Sequence, residues 1–206
     1  MTLDFKSYLH IVSLIKKPKT QKMKKLLLIA VLASSIVACN NSKTESQVDE
    51  TITTVSRIDD YYSKTIKEIN EDYTKNEFSK FDELVSDSAK VYFNSSTPMT
   101  KKEWKELAQS HHVYFDSIRW EKNNYYVKTD SLIKDEKHET NTLKAGNIYT
   151  FVWYTWKAVG KTTHAQIENE GGITFQWANN KIIAARFTFD PTPLVNEVAA
   201  TNKAKK

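Results

Sequence analysis

Cysteine is almost missing from this sequence, with Cys39 the only one in 206 residues. A lone cysteine closes no internal disulfide and has no second thiol to share a metal or resolve a redox cycle. Glycine is nearly as scarce. There are four, and Gly146, Gly160, Gly171 and Gly172 all lie in the second half. That spacing leaves no glycine-rich phosphate loop, and no Ser-His-Asp order or metal-ligand spacing stands beside it. A strong excess of positive charge is missing too, once its location is considered. The formal net charge is +5, yet seven of the 30 basic residues and one of the 25 acidic residues fall within 1–38. The remainder holds 23 basic and 24 acidic residues, which excludes a nucleic-acid partner recognised by charge.

The segment before Cys39 accounts for the cysteine. Met23-Lys24-Lys25 precedes an apolar run from Leu26 to Val37, softened only by Ser34 and Ser35. A cationic start, an apolar stretch of roughly 7–15 residues and small residues after it are the parts of a secretory signal. The run is shorter than the about 20 residues of a spanning helix. Ile36-Val37-Ala38-Cys39 resembles a bacterial lipobox. The resemblance implies cleavage before Cys39, a diacylglycerol on its thiol, and a membrane partnership through that lipid alone. Residues 1–22 then play no part in the leader 1–38, and Met23 is an alternative start. Asn40 differs from the aspartate that retains such lipoproteins at the inner membrane, which points to the outer membrane of a bacterial cell envelope. Residues 39–54 are polar and read as a flexible tether. Residues 55–198 have the length of one domain, and 199–206 read as a disordered tail.

Within the domain the apolar period is first helical. Ile58, Tyr62, Ile66, Ile69 and Tyr73 form one stripe of a helix from Val55 to Tyr73, and Phe78, Phe81, Leu84 and Val85 form a shorter one. Val91-Tyr92-Phe93 reads as a short strand. Thr100 and Glu103 have the spacing of a capping box, ahead of a third helix whose one face holds Trp104, Leu107, Ala108, His111 and Phe115. After Phe115 the period becomes two, with strands expected at 117–128, 147–158, 161–177 and 181–190. The charged stretch 128–146 between the first two reads as a solvated loop. A Val159-Gly160 turn pairs Tyr154 with Ala165 and Trp156 with Thr163. A three-residue loop at Ala178-Asn179-Asn180 places Ile173, Phe175 and Trp177 on one face with Ile183, Ala185, Phe187 and Phe189. Gly171-Gly172 suggests a bulge that bends the sheet.

This order is α+β: three N-terminal helices packed on a curved antiparallel sheet. The early helix "IDDYYSKTIKEI", "DSAKVYF" before a short strand, and the closing "NNKIIAARFTFD" resemble the nuclear transport factor 2-like superfamily, which includes SnoaL-like cyclases and ketosteroid isomerases. The resemblance covers about residues 55–191 and implies a cone-like fold enclosing a pocket. It also implies a carboxylate base on the early strand, but Val91-Tyr92-Phe93-Asn94 has none. A family-type acid on the third sheet strand falls near Glu168, which alternation places on the outer face with His164 and Gln166. The isomerase mechanism is therefore not supported.

Pocket candidates follow from period. Tyr62, Trp104, Trp120, Tyr154, Trp156, Trp177 and Phe187 all point inward, as aromatic linings of ligand sites do. His111 shares the face of Trp104 and is the one weak candidate for catalysis, as a base or a polar contact. His112 points away, so the two are no metal pair, and neither metal nor cofactor is assigned. Outward alternation leaves Tyr149, Phe151 and Trp153 together, a patch that suits a homodimer. In the competing arrangement Pro191 to Val198 folds back over that patch.

Three functions fit. The first is a lipid-anchored envelope protein whose cone binds a small apolar or amphipathic molecule without catalysis. The second is a SnoaL-like lyase, isomerase or hydrolase using His111. The third is an envelope protein-interaction module. The anchoring is tested by the intact mass of membrane-extracted protein, expected to show a chain starting at a lipidated Cys39. An unmodified N-terminus upstream, or a membrane-bound Cys39→Ser variant, contradicts it.

Overall fold

The computed structural model describes residues 53–139 and 142–204. The leader, Cys39 and the tether up to residue 52 lie outside the described residues. The chain opens with strand β1 (Thr54–Arg57) and helix α1 (Tyr61–Thr74). The expected helix start at Val55 is thus corrected. Asp60 accepts a hydrogen bond from Ser63 N at 2.8 Å and caps the helix there, while residues 54–57 pair with a neighbouring strand. Ile58 matched the helical period but is 54% exposed. The other end is a Schellman closure: Asn76 is left-handed at φ 60, and Asn76 N and Glu77 N donate to Tyr73 O and Asp72 O.

Helix α2 (Ser79–Leu84) leads directly into β2 (Val85–Phe93), which is longer than the expected strand at 91–93. Helix α3 (Lys101–Tyr114) begins at the expected capping box, with Thr100 Oγ1 accepting from Glu103 N and Glu103 Oε2 accepting from Thr100 N. Then come β3 (Phe115–Leu132), a small pair β4 (Glu136–Lys137) and β5 (Thr142–Leu143), β6 (Ile148–Gly160), β7 (Gln166–Ala178) and β8 (Lys181–Phe189). The stretch read as a loop is in part strand, since β3 runs on to Leu132. The main sheet has the order β1-β3-β6-β7-β8-β2, antiparallel except for β2 beside β8. Its inner face packs on the helices around Ile66, Val91, Phe115, Val152, Phe175 and Ile182, each at most 2% exposed. The result is the α+β architecture with a curved, mostly antiparallel sheet.

Two turns differ from expectation. The β6–β7 connection spans residues 161–165, with Gly160 N donating to Ala165 O and His164 left-handed at φ 58. Tyr154 therefore faces Gly171, and Trp156 faces Asn169. The β7–β8 turn has two residues, Asn179 and Asn180, both at positive φ, the type I′ chemistry of tight hairpins. That turn alone would put the wrong face of β8 inward. The register shift between Gln176↔Ala184 and Trp177↔Ile182 leaves Ile183 as an extra residue and restores the face. Ile182, at 0% exposure, takes the place expected for Ile183.

The last correction is the C-terminus. Thr192–Ala204 forms helix α4, so 199–204 are not a disordered tail. Nor does this segment cover the outer aromatic patch. Leu194 and Val198 are buried, α4 packs beside α3, and Glu197 reaches the β6–β7 turn. Its carboxylate accepts from Thr162 N at 2.6 Å and from Thr163 Oγ1 at 2.5 Å. Burial pushes this carboxyl up, but the hydrogen bonds from Thr163 and Thr162 outweigh it and hold the group below its ordinary range.

Gly171 and Gly172 sit in unbroken register, so they form no bulge. The register shifts lie elsewhere: in β3 between Asp116 and Arg119 and between Trp120 and Tyr125, in β2 between Val85 and Lys90, and at Ile183 in β8. The role of Gly171 is space. A Cβ there would stand 2.6 Å from Tyr154 Oη and 2.8 Å from Thr188 O, whereas one at Gly172 would meet only Val152 O at 3.6 Å. Gly171→Ala is therefore expected to cost about 1–3 kcal/mol in denaturant unfolding, as overpacking does. Gly172→Ala is expected to change stability by less than about 1 kcal/mol. Equal effects would contradict this account.

Candidate functional site

The wide end of the cone holds a cavity of about 100 Å³ between α1, α3, α4 and the strands β6 to β8. Its walls are aromatic because three periods converge there. The helical stripe of α1 brings Tyr73, the helical face of α3 brings Trp104 and His111, and alternation along β6 brings Tyr154 and Trp156. Six of the eight residues expected in a pocket line it: Trp104, His111, Trp120, Tyr154, Trp156 and Phe187. Tyr62 and Trp177 do not. Tyr62 packs on Trp177 with ring centroids 5.0 Å apart and donates its hydroxyl to Asn180 Oδ1 at the hairpin tip. They lie where the tight β7–β8 hairpin closes the narrow end.

At that narrow end a chain of hydroxyls crosses the core. Trp177 Nε1 donates to Thr150 Oγ1 at 2.9 Å. Thr150 and Thr129 are 2.9 Å apart, Thr129 and Ser63 2.8 Å, and Ser63 Oγ donates to Arg57 O. Ser63 gives its one hydrogen to the Arg57 carbonyl, so Thr129 donates to Ser63 and Thr150 to Thr129, and the indole, which only donates, starts the chain. No polar group in this chain is left open.

A second chain, at the cavity, does not close. Trp156 Nε1 donates to Tyr73 Oη at 3.1 Å, and Tyr73 Oη lies 2.7 Å from His111 Nδ1. His111 as a whole residue is partly buried, but its Nε2 is sealed from solvent and has no hydrogen-bond partner among the described residues. Burial, with His112 beside it, pushes the His111 pKa down to about 4, so the ring is neutral at physiological pH. Burial likewise pushes the hydroxyls of Tyr73 and Tyr154 up, leaving both protonated. An unpaired buried donor or acceptor costs about 1–3 kcal/mol, so the orphan at His111 Nε2 is an energetic feature of the cavity. His112 donates Nε2–H to Tyr73 O at 2.8 Å, away from the cavity.

Other candidate groups are committed elsewhere. Asn94, at the end of β2, has its side chain in a strand-like exchange with Phe189: Nδ2 donates to Phe189 O at 2.6 Å and Oδ1 accepts from Phe189 N at 3.1 Å. Glu168 is on the outer face, paired with Lys157 at 2.7 Å, and His164 and Gln166 are exposed. Among the described residues no group of three His, Cys, Asp or Glu is placed to hold a metal. No described helix is long and apolar enough to cross a membrane.

Sequence reading missed Asn169, Leu194 and the part played by Tyr73. Asn169 is 5% exposed, lines the cavity, and donates Nδ2 to Asp190 O at 2.7 Å. Alternation from Ile167 would have placed it inward. Tyr149, Phe151 and Trp153 do stand on the outer face. Trp153 is 45% exposed, stacks on Phe151 at 5.9 Å and meets Tyr126 of β3 at 5.8 Å.

No family model matches the sequence, and no curated protein matches it. The fold is similar to solved structures of nuclear transport factor 2-like and SnoaL-like proteins. A SnoaL-like polyketide cyclase from Agrobacterium tumefaciens is 7% identical, with 65% of this chain and 94% of that chain covered and a TM-score of 0.45. A nuclear transport factor 2-like protein of unknown function from Burkholderia pseudomallei is 10% identical, covering 66% and 96%, with a TM-score of 0.47. Another from Anabaena variabilis is 14% identical, covering 63% and 86%, with a TM-score of 0.44. At these identities the likeness concerns the fold alone.

The buried imidazole makes stability depend on pH. The unfolded ring protonates near pH 6.5 and the folded one only near 4. Between those values the unfolded state binds more protons, so stability falls as pH falls. The expected loss is about 2 kcal/mol between about pH 7.5 and pH 5, with His112 acting in the same direction. His111→Asn should flatten most of that slope. A wild-type unfolding free energy that stays level over this range contradicts the assignment.

Proposed function

We propose that the domain binds a small apolar or amphipathic molecule in the aromatic cavity, without catalysing a reaction on it, and is held to the cell envelope through lipid on Cys39. The observation that carries the binding reading is the void itself. A core that merely packed its tryptophans would close it, because interiors are filled to crystal-like density. At about 100 Å³ it is smaller than the about 300–1,000 Å³ of drug-sized sites, so it suits a very small molecule or one branch of a larger one. The reading without catalysis rests on the acids and on His111. Asn94 is engaged with β8, Glu168 faces away from the cavity, and the lone pair of His111 Nδ1 lies against Tyr73.

Xenon, which enters dry apolar cavities, tests this on the purified full chain. Wild type is expected to bind it. Ala108→Leu, which adds three carbons to a residue lining the void, is expected to abolish binding while shifting stability by less than about 3 kcal/mol. Wild type that takes up no xenon contradicts the reading. Mass spectrometry of what copurifies with the chain then identifies the occupant.

A second role is favoured by the outer face. We also propose that two copies associate through Trp153, Phe151 and Tyr149 with Tyr126, since exposed aromatics in ring contact on a sheet face are unusual for a surface left in water. Sedimentation is expected to show a dimer that Trp153→Lys converts to monomer. A wild-type monomer at high micromolar concentration contradicts it.

A further inference from the structure

Three groups on the cavity wall bear on what could occupy it: His111, Tyr73 and Glu77. The first two settle where one proton sits. Trp156 Nε1 can only donate, so it takes a lone pair of Tyr73 Oη. The hydrogen of Tyr73 then has one acceptor at hand, His111 Nδ1 at 2.7 Å. With Nδ1 accepting, a neutral imidazole carries its proton on Nε2. The opposite tautomer would leave the Tyr73 hydrogen without an acceptor and the Nε2 lone pair without a donor, two open valences instead of one. Protonating the ring has the same defect, because Nδ1–H would then donate to Tyr73 Oη and leave the tyrosine hydrogen without an acceptor. His111, which lines the cavity, therefore carries a fixed N–H donor at Nε2, which has no partner among the described residues.

The rest of the wall selects charge. Among the described residues no lysine or arginine lines the cavity, and the one charged lining residue is Glu77, an exposed carboxylate at the rim. An anion entering would be stripped of water with no countercharge and would pass Glu77. A cation would meet the positive end of the His111 N–H. A neutral hydrocarbon would leave that N–H unpaired.

We propose, resting on the reading of the cavity as a binding site, that its occupant is an uncharged molecule with an apolar body and one acceptor oxygen hydrogen-bonded to His111 Nε2–H. In this arrangement His111 is a ligand-binding donor, not a base. Tyr73 is the positioning residue that fixes the tautomer. Tyr154 also lines the void and borders the same space.

The test uses four probes of five or six heavy atoms on the full chain: cyclopentanone, its isostere methylenecyclopentane, isobutyrate and tetramethylammonium. The ketone and the alkene differ in hydration, so the informative quantity is their affinity ratio in wild type divided by that in His111→Phe. The expected value is about tenfold in favour of the ketone, the size of one hydrogen bond. In parallel, the His111 imidazole N–H resonance of wild type is expected to move downfield with cyclopentanone and not with methylenecyclopentane. This second measurement stands if the variant does not fold. The two ions are expected not to bind.

If ketone and alkene both bind with no coupling to His111, or the N–H resonance ignores the ketone, the acceptor assignment falls and the binding site remains. If isobutyrate or tetramethylammonium binds more tightly than the ketone, the assignment of an uncharged occupant falls. If none of the four binds, and xenon does not enter wild type, both this inference and the binding reading fall together.

Discussion

The hydroxyl of Tyr73 is shared by three elements: its own helix α1, Trp156 on β6 and His111 on α3. Few groups in the fold are so placed. It joins α3 to the sheet by hydrogen bonds, and it sets the direction of the hydrogen bonds at the wide end. The same helix ties down the narrow end through Ser63, where Trp177, Thr150 and Thr129 pass their hydrogens to a backbone carbonyl. The two chains start alike, with a tryptophan N–H that can only donate. One ends on a carbonyl and is satisfied. The other ends on an imidazole whose far nitrogen has nothing to meet. That difference separates a fully paired core from a cavity wall with an open polar group, and buried polar groups are ordinarily paired.

Two close approaches shape the walls of the cavity. The Tyr154 ring lies across Gly171, where even a methyl group would collide with it and with Thr188 O. At the other side, a side chain on Gly160 would overlap the Glu197 carboxylate, which binds Thr162 and Thr163 and anchors α4 against the β6–β7 turn. Leu194 on that helix then completes the cavity wall. Two of the chain's scarce glycines thus mark the two close approaches on which the wide end depends.

The parts of this arrangement that are local were legible in the sequence. The capping box at Thr100 and Glu103, the α1 stripe through Ile66 and Ile69, and the inward parity of Val152, Tyr154 and Trp156 depend on neighbours a few residues apart. So did His111, found from its helical face. The parts that failed depend on distant partners. The β6–β7 register was misread because the turn is organised by Glu197, 35 residues from Thr162, in a segment whose end looked like a polar tail. The β7–β8 turn was misread because the Asn179-Asn180 chemistry and the face parity disagree until a bulge at Ile183 is allowed. Tyr62 and Trp177 point inward as expected, but period says which face a residue is on and not how far along the cone it sits. The link from Tyr73 to His111 spans 38 residues and has no trace in spacing.

The central claim is the position of one proton. Nitrogen-15 NMR of the imidazole side chains in the full chain, recorded without added ligand near neutral pH, reads it directly. The account predicts that His111 is neutral, with a pyrrole-type nitrogen at Nε2 and a bare, hydrogen-bond-accepting nitrogen at Nδ1, and that Tyr73→Phe releases this preference. A proton on Nδ1, or a charged His111 ring, would contradict it.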